Sequence, residues 1–408
     1  MHEHKMTDPK LAISIPVFFG LSLKLREIEI PVSRIITALR PIEEFSKPDA
    51  WVKTIHFALQ YILDDMHSEG ECRGGWGKSY AERYIRRTYP AGIPSDASRQ
   101  PDSPSGTSMV VEGLNDLREC TGLTNVHLRK LIQTCLEETA RYFVSRCDPG
   151  SGAVGVKTQL AGGDVATAYN LRHSAMAIKA WRSVPGQHER LGRCCEYLIR
   201  SAEEVDLESE RPLTIAAVLS GLDWIEQTDH IRRSIPGTNR VPFLTKKAEI
   251  ALFETWSETC GGWFDGKDRI ATSFWYSAFV LKELCGVKVK LDVGLVERMD
   301  AALDMLLGAL HELPEGQLGM PYRPNGSPDL GMSCLLAEIL ARPLPHWERG
   351  NELRGLCRFI NSCCDEQNSF HSVYLEDTYP WTLASVFTVM RILLTKKQRS
   401  ELRTTAGS

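Results

Sequence analysis

No run of 18 or more apolar residues occurs anywhere in the 408 residues of this chain, which excludes an ordinary membrane-spanning helix. The nearest approach is Leu11 to Lys24 (LAISIPVFFGLSLK). It is short, is interrupted by Pro16 and Gly20, and lacks a small-residue cleavage site. It therefore reads as a buried or edge segment rather than a secretory leader. Charge of one sign is lacking too. Lys and Arg number 48 against 52 Asp and Glu, a net −4, so no basic field exists to hold a nucleic-acid backbone. Cysteine is too sparse, at 12, for a disulfide scaffold, and Cys-x-x-Cys spacing is absent. The neighbours Cys194-Cys195 and Cys363-Cys364 point apart on a helix and read as small buried thiols of a reducing cytoplasm. No Gly-x-Ser-x-Gly, phosphate-binding Gly-rich loop or Gly-x-Gly-x-x-Gly occurs.

What is present is ordinary globular composition, 43% hydrophobic and 25% charged, arranged as two alternating sets of helix-like runs. One set is Trp51 to Met66, Leu128 to Cys147, Leu191 to Ala202, Lys246 to Thr259, Val296 to Leu310 and Asn351 to Cys364. The 3.6-residue period shows in Ala58, Tyr61, Ile62, Asp65 and again in Ala301, Met305, Leu306, Ala309. The other set is Ser105 to Leu117, Val165 to Trp181, Pro212 to Trp224, Ala271 to Leu284, Pro328 to Leu340 and Thr378 to Leu394. This set is richer in Ala, Ser, Gly and β-branched residues. Small residues allow close helix approach and suit an inner ring, whereas the charged set suits an outer one. Ser105, Thr107 and Asp164 stand where caps belong, and Pro212 occupies a first helical position, where its missing N–H costs nothing.

Two phrases punctuate the alternation, Cys72-Arg73-Gly74-Gly75-Trp76-Gly77 and Cys260-Gly261-Gly262-Trp263-Phe264-Asp265-Gly266. Each follows an outer run. Paired glycines give a tight reversal with positive φ, and the Trp covers the gap between neighbouring helices. A repeated helix, Gly-Gly-Trp turn, helix unit predicts a helical repeat. Six pairs closing on themselves make an all-α fold, an α/α toroid, with inner-helix N-termini around a central cavity. The expected organisation is an N-terminal extension over 1–45, one toroid domain over 46–395 and a tail over 396–408.

At Gly261 to Leu284 (GGWFDGKDRIATSFWYSAFVLKEL) the chain resembles the repeat of terpene cyclases and protein prenyltransferase β subunits, the prenyltransferase and squalene oxidase repeat group. Gly74 to Gly77 with Thr107 to Leu117 is similar. Asp164 to Trp181 and Asp377 to Leu394 fit the inner-helix half. The resemblance implies the fold but not the chemistry. The prenyltransferase zinc set of Asp-x-Cys and His is replaced by Ala271-Thr272-Ser273 and Tyr379-Pro380-Trp381, so no metal and no cofactor is expected. The only Asp-Asp pair, Asp64-Asp65, ends an outer helix, the wrong place for a cyclase acid. Cys357 and Cys363-Cys364 near His371 are interleaved with core residues and read as structure.

The mouth of the ring should display Asp102, Thr107, Asp164, Thr167, Tyr169, Arg172, His173, Thr272, Trp275, Tyr276, Glu376, Asp377, Tyr379 and Trp381. Aromatic faces can stabilise a cation, and carboxylates raised by burial can act as acid or base. Asp164, His173, Glu376 and Asp377 are the catalytic candidates. His173 also reads as a satisfied helix histidine, and Glu376-Asp377 as a helix cap. Thr107, Tyr169, Arg172, Thr272, Trp275, Tyr276, Tyr379 and Trp381 are the ligand-binding candidates. Arg83 and Arg86 join them from the loop Lys78 to Ser103, which could bind a phosphorylated ligand or lid the cavity. The leading expectation is a toroid that binds, and as an enzyme would transform, an isoprenoid or other apolar ligand. Two alternatives stay open. One is a non-catalytic protein-interaction or sensing module in a bacterial multi-protein system, defence included. The other is an (α/α)6 carbohydrate-active enzyme with paired carboxylates.

Overall fold

The structure is a computed structural model. It describes residues 10–19 and 22–31 at backbone level, most of 54–66, 74–76, 104–120, 126–159, 165–181, 186–264, 273–342 except 323, 349–363 and 379–393. Helices α1 (54–63), α2 (Pro104–Glu119), α3 (Val126–Arg146), α4 (Leu171–Trp181), α5 (His188–Glu204) and α6 (Pro212–Gln227) come first. The short α7 (Asp229–Ser234) precedes α8 (Val241–Glu254), α9 (Phe274–Leu284), α10 (Val293–Gly308), α11 (Leu330–Ala341), α12 (Gly350–Ser362) and α13 (Pro380–Leu383, continued over 385–393).

The inner ring runs α2, α4, α6, α9, α11, α13, each packed on the next, and α13 returns to α2. This closure makes the fold an α/α toroid. Helices α1, α3, α5, α8, α10 and α12 form the outer layer. Thr54 Oγ1 of α1 donates to Asn361 Oδ1 of α12 at 2.8 Å, which ties the first outer helix to the last. The two layers follow from patterning. Every residue of α11 is buried, as befits a helix enclosed on all sides. In α5 only Leu191, Cys194, Cys195, Leu198, Ile199, Ser201 and Ala202 are buried, one stripe at helical spacing that faces inward. The cysteines of α5 belong to that stripe, as small core hydrophobes.

The Gly-Gly-Trp turns do what glycine permits. Gly74 sits at φ +81°, and a Cβ there would lie 2.3 Å from the Glu138 carbonyl oxygen. Trp76 and Trp263 are fully buried. Their indole N–H groups donate to the carbonyls of Ile62 at 2.6 Å and Leu252 at 3.2 Å, at the ends of the preceding outer helices. The backbone N–H of each Trp is held by a hydroxyl from the next inner helix: Thr107 Oγ1 accepts from Trp76 at 3.0 Å, and Ser277 Oγ from Trp263 at 3.2 Å. The same clasp recurs where no Trp marks it. Ser174 Oγ accepts from Val154 N–H at 2.9 Å, and Ser333 Oγ from Met320 N–H at 3.0 Å. The repeat is therefore a small residue, a buried side chain and a hydroxyl one turn into the following helix. Removing one such hydroxyl orphans a buried N–H. Ser277→Ala should cost about 1–2 kcal/mol, read from the urea midpoint. An unchanged midpoint would show that the clasp contributes nothing.

Two stretches differ from expectation. The inner run over Val165 to Trp181 is helical only from Leu171. Residues Val165–Tyr169 form β4, antiparallel to β3 (Gly155–Gln159). β-branched Val165 and Thr167 alternate with Ala there, which suits a pleated strand. Helix α4 then starts where the Asn170 carboxamide accepts from Arg172 N–H at 2.8 Å. The apolar segment near the N-terminus forms a hairpin, β1 (Lys10–Phe19) against β2 (Ser22–Pro31). Short hairpins β5 (Trp256–Ser257) with β6 (Gly262–Trp263), and β7 (His311–Leu313) with β8 (Gln317–Gly319), join outer to inner helices. Among the described residues no helix is long and apolar enough to cross a membrane.

Candidate functional site

The N-terminal ends of the inner helices converge on a cavity of about 310 Å³. Helix α2 contributes Ser105, Gly106 and Met109, and α4 contributes Arg172 and Met176. Arg211 and Leu213 come from the start of α6, and Ser273, Trp275, Tyr276 and Phe279 from α9. Tyr322 precedes α11, and Tyr379 and Trp381 open α13. The walls are aromatic. Tyr379 and Trp381 stack at 4.6 Å between centroids and 17° between planes. Trp275 packs on Phe279 at 4.5 Å, one helical turn on, and against Tyr276 edge-on at 5.1 Å.

Two guanidinium groups are the only charges among the described lining residues. Arg211 is exposed and its Nη1 donates to the Tyr276 hydroxyl at 3.3 Å. Arg172 lies deeper. Burial is the main cause that disfavours its cation; Tyr276 opposes it and Arg211 adds to it, and the Arg172 Nε is buried without an acceptor. The indole N–H of Trp275 is likewise buried and unpartnered. Beside Arg172, His173 Nδ1 lies 2.6 Å from Ser105 Oγ. Burial, then the Arg172 charge, pushes the His173 imidazole down to about 3. A ring so hard to protonate is a poor base for Ser105, so this contact fixes a hydroxyl at the cavity wall rather than activating a nucleophile.

Of the residues expected at the mouth, Arg172, Trp275, Tyr276, Tyr379 and Trp381 come together there. His173 is buried behind the wall. Thr107 is fully buried, its hydroxyl on the Trp76 backbone, so it serves the turn. Tyr169 lies on β4, 47% exposed, and is not part of the lining. Asp102, Asp164, Thr272, Glu376, Asp377, Arg83 and Arg86 lie outside the described residues. Arg211, Tyr322, Phe279 and the methionines Met109 and Met176 escaped the sequence reading. Arg211 had a signal: it directly precedes Pro212, which marks a helix start. Among the described residues no cluster of His, Cys, Asp or Glu could hold a metal.

A second cavity, about 240 Å³, lies at the other end of the same ring. Each inner helix that lends a residue to the mouth lends a charge further along. Lys179 of α4 meets Glu283 of α9 at 2.5 Å. Lys282 of α9 and Arg342 at the end of α11 meet Glu338 at 2.9 and 2.5 Å. Arg391 of α13 meets Asp116 of α2 at 2.8 Å. Asp223 of α6 accepts from the backbone N–H groups of Lys288 and Val289 at 3.0 and 2.9 Å. Cations near helix C-termini complement the helix dipoles, which explains why the bases cluster here. None of this layer was foreseen.

The fold is that of terpene cyclases. The chain superposes on the type II terpene cyclase MstE from Scytonema, in a single-residue variant, with a TM-score of 0.51 at 14% identity, over 86% of this chain and 98% of that one. A second MstE variant, solved with its substrate geranylgeranyl dihydroxybenzoate, gives 0.51 at 12% identity, over 85% and 98%. The ring is also shared by a family 76 glycoside hydrolase (mannosidase) from Bacteroides thetaiotaomicron, at 0.50 and 9% identity, over 86% and 99%. At such identities the likeness is one of fold. No known family pattern matches the sequence, and no curated protein matches it.

Proposed function

We propose that this toroid binds an isoprenoid or similarly apolar, unsaturated ligand at the mouth of its ring. The observation that carries this reading is the aromatic wall of Trp275, Tyr276, Phe279, Tyr322, Tyr379 and Trp381, completed by Met109, Met176 and Leu213. The volume lies at the low end of small-ligand pockets, so a long ligand would extend out through the mouth. The substrate seen in the MstE neighbour is also a prenylated molecule. Transformation of the ligand would need an acid, and Asp164, Glu376 and Asp377 remain the candidates for it. His173 is not one, because its surroundings keep it neutral.

Isothermal titration with farnesol tests the reading. Saturable binding is expected, and Trp381→Ala should weaken it about tenfold by removing half of the stacked pair. Absence of saturable binding, or indifference to Trp381→Ala, would sink it.

A further inference from the structure

We infer that the ligand carries one carboxylate, received between Arg172 and Arg211, with its apolar body laid along the aromatic wall. The inference rests on the apolar-pocket reading and names the ligand class. Elsewhere in the described ring the buried cations have partners. Lys282 and Arg342 share Glu338, and Lys179 has Glu283. Arg172 is the exception. It is largely withdrawn from water, no carboxylate stands beside it among the described lining residues, and Arg211 across the same cavity opposes its charge while Tyr276 favours it. Burying an unpaired cation beside another cation is costly, and an anion between the two removes the cost. The helix ends reinforce this. The starts of α2, α4, α6, α9 and α13 all open on the cavity, and each brings the positive end of its dipole.

The number and kind of donors select the anion. Two planar guanidinium forks match the two oxygens of a carboxylate. The described lining has no lysine, and the neutral His173 adds no third charge, so a multiply charged diphosphate would be under-neutralised. The Trp275 indole N–H provides one further neutral donor without an acceptor in the structure.

The test compares farnesoic acid with farnesol, two molecules of nearly one shape that differ in charge, with farnesyl diphosphate as a third arm. The acid should bind about tenfold more tightly than the alcohol, the usual worth of a charged hydrogen-bonded contact. The preference should shrink as NaCl is added. Arg172→Met should remove most of the advantage of the acid over the alcohol. Arg211→Met, at an exposed position where folding is not at risk, should remove part of the preference. Equal affinity of the wild type for acid and alcohol overturns the inference and leaves the apolar reading standing. So does a preference that survives both substitutions. Tighter binding of the diphosphate than of the acid overturns the choice of carboxylate. Failure of all three to bind overturns the apolar reading and this inference together.

Discussion

Glu338→Leu should cost about 3–5 kcal/mol of stability at pH 7, measured by urea unfolding, although it places an apolar side chain in an interior position. Glu338 is fully buried on α11, and its carboxylate serves Lys282 and Arg342 at once. Burial alone would raise its pKa. The two cations outweigh burial and hold it down at about 2. Removing it takes away the carboxylate that both cations are paired with, the costly case for a buried pair. Lys282→Met should be milder, because Arg342 keeps Glu338 paired. The double substitution should cost less than the sum of the singles, because the two side chains share one interaction. A folded-state pKa below the usual carboxylate value contributes stability that is present above about pH 4.5 and lost as pH falls toward 2. The wild type should therefore weaken over that acid range more than Glu338→Leu does. A Glu338→Leu protein of unchanged stability would mean that the charged layer is not what holds α9 to α11.

That layer marks the limit of what the sequence discloses. The alternation of small-residue and charged runs reveals the two rings, because burial on all sides and burial on one stripe demand different compositions. The Trp-marked turns are equally legible, since Gly74 and Gly261 take positive φ. The turns at Val154 and Met320 are not, because the clasp needs only a hydroxyl one turn into the next helix, and Ser174 and Ser333 look like any serine. Lys282 and Glu283 are both buried, because the partners that make burial tolerable are Glu338 and Lys179, which lie far away in sequence. The aromatic half of the mouth was visible as a cluster on inner-helix starts. Tyr169 was misplaced with it because the helix was read six residues too early, and one strand of β-branched alternation turned it away. Thr107 was read as a ligand contact for the opposite reason, since a hydroxyl near a helix start has two uses and only the fold shows that Trp76 takes it.

Asp116→Asn should make the protein more stable above pH 6, by roughly 1–3 kcal/mol, and should flatten its stability profile between pH 4 and 6. Asp116 lies on α2 in the charged layer. Its pKa is raised to about 6. Burial is the first cause, with Glu338 from α11 and Glu112 from its own helix pushing the same way. Arg391 and the Thr388 hydroxyl, both on α13, pull it down without prevailing. The ion pair with Arg391 at 2.8 Å thus coexists with a raised pKa, because Arg391 is 41% exposed and also reaches Glu119. The sign follows from proton counting. Between the unfolded value of 3.8 and about 6 the folded protein binds the extra proton, so stability falls as pH rises through that window, by about 3 kcal/mol for this group. An asparagine is neutral throughout and carries no such loss. Its cost is the weakened contact with a half-exposed arginine that keeps Glu119, which is small. Below pH 4 the two proteins should converge, since aspartic acid and asparagine are then both uncharged. Above pH 6 they should separate, with the variant unfolding at higher urea. A variant less stable than the wild type at pH 7 would mean that the Arg391 pair outweighs the burial of Asp116. The charged layer would then hold α2 to α13, as Glu338 holds α9 to α11.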